Sequence, residues 1–186
     1  MSGLKSKEDI SGSDYRSADN KKSAVSANNR FSEKSVKGIR SAELFPGTNP
    51  IFQHSIVVRC RYGETDKMGY LYHARYIDYF DVARTEMIRL GEIDYKQLED
   101  SGIIMPVLDV KVRYFEPVFY DEEIRILVHV YEWPETRLHT HYKVTGTGGK
   151  LKAYGRVSLC FVNEQTRKPV RVPQQLLDAM QRHVQY

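Results

Sequence analysis

The chain has 186 residues, 41% hydrophobic and 28% charged, with a formal net charge of +4. That is the composition of a soluble globular protein with one domain and an extension. Acidic and basic residues are interspersed, which argues against a nucleic-acid surface, and no run of about 18 apolar residues predicts an integral membrane span. The N-terminus lacks the apolar core of a secretory signal. Glu8, Asp9, Asp14 and Asp19 interrupt any mitochondrial presequence, so a cytoplasmic location is expected.

Residues 1–52 are rich in Ser, Lys, Asn, Asp and Gly and sustain no helical or strand period. They are expected to form a disordered polar tail ahead of a domain at 53–186. Phe31 and Leu44-Phe45-Pro46 are its apolar points, expected in solvent rather than docked. From His54 the pattern changes. Ile56, Val58, Cys60 and Tyr62 alternate with Val57, Arg59 and Arg61, which predicts a half-buried strand. Gly63 ends it, and Gly69 supplies a residue tolerant of positive φ within the following turn.

Ala74 to Leu90 reads as a helix. Tyr76, Phe80, Ala83, Met87 and Leu90 recur at steps of four and three, giving one apolar stripe. Asp81 and Arg84 are spaced to pair, and Gly91 is a C-terminal stop. A short helix is expected from Tyr95 to Ser101. Four strands then follow: Pro106–Phe115, a run through Ile124 and Val130, one through Leu138 and Val144, and Leu151–Phe161. Pro173 to Val184 closes as a short helix. Short connections imply antiparallel pairing, so the fold class is α+β, a five-stranded antiparallel sheet around one long helix.

Chemistry concentrates between Glu64 and Tyr76. Asp66 puts a carboxylate before a tight turn, and a helix begins soon after. Free amides at a helix start can stabilise negative charge on a carbonyl oxygen. The bland reading of Asp66 is a turn cap. His73 and Asp78 satisfy an H-x4-D pattern, but five residues along a helix turn the side chains well apart. His139 and His141 share one strand face that also carries Lys143, and a solvated face is expected there rather than a metal. Cys60 and Cys160 lack metal-ligand spacing and are expected as buried thiols.

The run Tyr62, Glu64, Thr65, Asp66, Met68, Gly69, Tyr72, His73, Tyr76, Phe80, Ala83, Arg84, Thr85 and Glu86 resembles hotdog-fold acyl-CoA thioesterases of the 4-hydroxybenzoyl-CoA thioesterase type. The closer likeness is to the bacterial branch associated with the Tol-Pal envelope system. Val110, Lys111, Tyr114, Pro117, Asp121, Pro169 and Pro173 agree with it. The resemblance implies a sheet wrapped around the helix and a homodimer or homotetramer with sites at the subunit interface. It implies an acyl-CoA substrate and no metal or organic cofactor. Asp66 corresponds to the family's catalytic aspartate, as base or nucleophile, and the backbone amide of His73 to its carbonyl-polarising donor. Met68, Gly69, Tyr72 and Tyr76 are the substrate-binding candidates, with Tyr70 and Leu71 beside them; filling core is the alternative for any one tyrosine. Lys111, Arg113 and Arg156 are candidates for the CoA phosphates, with a solvated strand face as the default. The alternatives are an acyl carrier protein thioesterase and a non-catalytic acyl-CoA-binding or envelope-associated interaction module.

Overall fold

The computed structural model describes residues 41–47, 49–90 and 100–183, all within the unit Gly38–Tyr186. In chain order these form α1 (Ser41–Leu44), β1 (Phe52–Arg59), a 3-10 turn (Tyr62–Glu64), α2 (Arg75–Leu90), β2 (Ile103–Ile104) and β3 (Val107–Tyr114). Then come β4 (Glu123–Val130), β5 (Arg137–Thr145), β6 (Leu151–Cys160), β7 (Val162–Asn163) and α3 (Gln174–Arg182). The expected helix at 95–101 falls largely outside the described residues.

Five strands form one sheet in the order β1-β4-β5-β6-β3, every neighbour antiparallel. β1 and β3 are its two edges. The pair β2–β7 was not legible in the sequence, because two residues are too few to show a period.

The apolar stripe of α2 buries Tyr76, Phe80, Ala83 and Met87 against the concave face of the sheet. The helix lies over β1 and β4. Its Phe80 ring stacks on Tyr142 of β5 at 4.2 Å, and Tyr76 meets Tyr114 of β3 edge-on at 5.0 Å. The sheet therefore curves round the helix from one edge to the other, the hotdog arrangement. The buried Arg84 pairs with Asp81 at 2.7 Å, as their spacing predicts. Helix α3 adds Leu176, Ala179 and Met180 to the same core.

The outer face of the sheet differs from expectation. Leu44 and Phe45 are buried, not solvated. Phe45 stacks on Tyr154 at 5.5 Å and lies 4.7 Å from the His129 ring. The His141 Nδ1–H donates to the Leu44 carbonyl at 2.8 Å, and the Gly47 amide donates to the Tyr131 hydroxyl at 2.9 Å. The cause is that β4, β5 and β6 present aromatic rings outward, which an apolar pair can cover while their polar atoms bond its backbone. The strand face carrying His139 and His141 is accordingly covered at His141, rather than open to water.

Candidate active site

Thr65 and Leu71 pair across a tight turn, an isolated antiparallel bridge. Within it the Asp66 amide donates to the Tyr70 carbonyl and the Gly69 amide to the Asp66 carbonyl, both at 2.9 Å. Gly69 has φ of +80°, a value that a side chain would strain. Asp66 Oδ1 accepts the Met68 amide at 2.8 Å, closing an Asx turn. So the bland reading of Asp66 holds for one carboxylate oxygen. The other has no hydrogen-bond partner among the described residues.

The start of α2 is fastened on two sides. The Tyr72 amide donates to the Glu64 carbonyl at 2.8 Å. The Tyr114 hydroxyl donates to the His73 carbonyl at 2.9 Å. Between these points, the His73 and Ala74 amides donate to no acceptor among the described residues. Glu64 is held in turn: its Oε2 accepts the Tyr79 hydroxyl at 2.5 Å and the Arg61 amide at 2.8 Å. Burial, then Glu64, pushes the Tyr79 phenol pKa well up, so it remains a donor.

The turn packs on a third segment, Pro117–Phe119, whose Pro117 continues the Tyr114–Pro117 wall. The Leu71 amide donates to the Val118 carbonyl at 2.8 Å, and Tyr70 bridges Phe119 with their rings 5.3 Å apart. Behind this wall a buried ion pair joins Lys152 and Glu122 at 2.8 Å. Lys152 Nζ also donates to the Pro117 carbonyl at 2.8 Å, while Glu122 Oε2 accepts the Phe119 amide at 3.0 Å.

These three pieces enclose a cavity of about 300 Å³. Asp66, Met68, Tyr70, Leu71, His73 and Tyr76 line it, together with Tyr114, Phe115, Glu116 and Pro117. The Tyr76 and Tyr114 phenols are both pushed up by burial, so both are neutral at pH 7. Two larger hollows lie nearby, of about 660 and 600 Å³, but neither contains Asp66 or the start of α2. The smaller cavity is therefore the chemical candidate, since of these three it is the one lined by Asp66 and by His73 at the start of α2.

The turn and the helix thus bring Asp66, Met68, His73 and Tyr76 together. Gly69 and Tyr72 do not line the cavity: Gly69 shapes the turn, and the Tyr72 ring points outward, 4.4 Å from the His73 ring. Sequence reading missed Tyr114 through Pro117 as lining; the signal lay in Tyr114 and Pro117, which agree with the family pattern. Lys111 pairs with Asp109 at 3.6 Å and Arg156 contacts His139 at 3.2 Å, while the Arg113 guanidinium lies 5.4 Å from the Phe115 ring. None of these three bases lines the cavity. Asp78 is held by Arg75 at 2.9 Å, so the H-x4-D pair does not form a site. Both cysteines are buried and free, and burial raises the Cys60 thiol, with Glu64 and Glu122 acting in the same direction. Among the described residues no cluster of three His, Cys, Asp or Glu can hold a metal ion. No helix among them is long and apolar enough to cross a membrane.

A carboxylate, two free amides and an apolar, aromatic wall suit an acyl compound with an electrophilic carbonyl. Known proteins agree. The Bacillus subtilis (strain 168) protein YneP is 28% identical over 114 residues, covering 61% of this chain and 83% of that protein. The acyl-CoA thioester hydrolase YbgC of Escherichia coli O157:H7 is 26% identical over 120 residues, covering 64% of this chain and 90% of the relative. The solved DHNA-CoA thioesterase from Staphylococcus aureus superposes with a TM-score of 0.64 at 33% identity, over 68% of this chain and 85% of that one. A family model described as the thioesterase-like superfamily matches residues 60–180. The chain belongs to the thioesterase-like superfamily, on a hotdog fold.

Proposed function

We propose that this protein hydrolyses acyl-CoA thioesters, releasing the free acid and CoA. One observation carries the reading: a carboxylate with an oxygen to use and a helix start with free amides share one apolar cavity. The thioester carbonyl oxygen would accept from the His73 amide, which stabilises the negative charge that develops there. Asp66 then acts by one of two routes. As general base it takes a proton from water, whose oxygen attacks the carbonyl carbon; the C–S bond breaks and the thiolate leaves, to be protonated. As nucleophile its own oxygen attacks, expelling the thiolate and leaving a mixed anhydride that water cleaves.

The residue-level likeness of the Tyr62–Glu86 run supports the 4-hydroxybenzoyl-CoA thioesterase type, near the Tol-Pal-associated branch. We expect the enzyme to act in the cytoplasm as a homodimer or homotetramer. The position of β3 at an edge of the sheet, with Val107 and Leu108 exposed, supports association through that strand. Light scattering on the purified chain tests this.

The deciding measurement is release of free thiol from a panel of acyl-CoA substrates by wild type and Asp66→Asn. Wild type should cleave, and the variant should lose about 10²-fold or more in kcat. Equal cleavage by a folded Asp66→Asn would remove Asp66 from the mechanism.

A further inference from the structure

Tyr114 stands at the end of edge strand β3, yet its hydroxyl donates to the His73 carbonyl at 2.9 Å, 41 residues away in sequence. That carbonyl and the Ala74 N–H belong to one planar peptide group, so holding the oxygen sets the direction of the N–H. The His73 N–H is joined to the same group through a single Cα. On its other flank the chain is fixed by the Tyr72 amide on the Glu64 carbonyl. The Tyr114 ring is braced edge-on by Tyr76 and walls the cavity. The hydroxyl therefore reaches the helix start from a strand paired with β6, at the peptide that joins His73 to Ala74.

We propose that Tyr114 is a positioning residue for the start of α2, where the His73 amide polarises the thioester carbonyl; this rests on the thioesterase reading above. The hydroxyl acts through the peptide and not on the substrate. Because the His73 amide meets a charge that grows in the transition state, loss of the hydroxyl should lower kcat and leave KM nearly unchanged.

Tyr114→Phe keeps the ring against Tyr76 and removes only the hydroxyl. Its kcat should fall about ten- to a hundredfold, less than the loss of a whole oxyanion donor at the upper end of its range, with KM within about twofold of wild type. A second readout follows the carbonyl itself. In Asp66→Asn, which spares the substrate, the stretching frequency of a ¹³C-labelled thioester carbonyl should lie below its solution value. Adding Tyr114→Phe should move it back towards that value. If wild type cleaves acyl-CoA while Tyr114→Phe matches it in kcat and in carbonyl frequency, the Tyr114 role is overturned and the thioesterase reading stands. If wild type cleaves no acyl-CoA, both are overturned. Should Tyr114→Phe fail to fold, 3,5-difluorotyrosine at 114 keeps ring and hydroxyl but ionises at lower pH. Its kcat should then fall as pH rises through that ionisation, relative to wild type, and a profile matching wild type overturns the role.

Discussion

The ring of Phe80 occupies the space that a side chain at residue 155 would need. A Cβ on Gly155 would come within 2.3 Å of that ring. Gly155 is also the cross-strand partner of Tyr142, on which the same ring stacks. The missing side chain is thus what lets α2 settle onto the middle of the sheet. Gly155→Ala should overpack this contact and cost about 1–3 kcal/mol, outweighing the small strand preference gained. Urea unfolding of the two proteins checks it; an unchanged or higher midpoint would show that the ring can move aside freely.

Lys152 and Glu122 make a second stability prediction that reaches the site. Lys152→Met leaves Glu122 without its buried counter-charge and Pro117 without its donor. Removing one partner of a buried pair costs about 3–5 kcal/mol. Here the lower end applies, because the Glu122 side chain retains 16% exposure. The double variant Lys152→Met/Glu122→Leu should recover part of the loss in stability but not the activity, because the Phe119 amide has also lost its acceptor. A double variant with wild-type turnover would show that the Pro117–Phe119 wall stands without this pair.

The docked segment at 41–47 predicts a pH dependence. The Tyr131 hydroxyl accepts from the Gly47 amide and lies 2.9 Å from His129 Nδ1. His129 Nε2 is buried without a partner among the described residues, so a proton added to the ring would find no acceptor there. Burial first, then His141 and Lys143, lowers the His129 pKa from 6.5 to about 4. His141 is lowered too, burial outweighing its bond to Leu44. Between pH 6.5 and 4 the unfolded chain binds more protons at His129 than the folded one. This contribution to stability is therefore present above pH 6.5 and is lost as pH falls towards 4. Melting temperature followed across that window should decline less steeply for His129→Asn than for wild type. Parallel curves would remove His129 as the source.

Asp66 separates two jobs that one residue performs. Asn at this position can still accept the Met68 amide, whereas Ala cannot. Asp66→Ala should therefore lose the turn's capping bond as well as the carboxylate, destabilising by roughly 1 kcal/mol relative to Asp66→Asn. Both should be comparably inactive. Equal melting temperatures for the two variants would show that the backbone alone holds the turn.

The long helix and the five strands were legible because their periods are sustained: the α2 stripe from Tyr76 to Met87 and the alternation from Ile124 to Val130 each repeat several times. The resemblance singled out Asp66 and His73, and their place on one junction brings both to the same cavity. Tyr114 and Pro117 were harder to find, since only strand order carries them to that junction from over 40 positions away. Leu44 and Phe45 were misjudged for a related reason. A polar neighbourhood in sequence says nothing of the rings of Tyr131, Tyr154 and His129 that meet them in space. Gly69 and Tyr72 sit in the right stretch but serve the turn and its outer side.

Residues 41–47 turn the back of the sheet into an interior. Two such sheets could not stack back to back without first lifting Phe45 from Tyr154 and His141 from the Leu44 carbonyl. A few residues before the first strand thus occupy sheet surface that would otherwise be open to a partner.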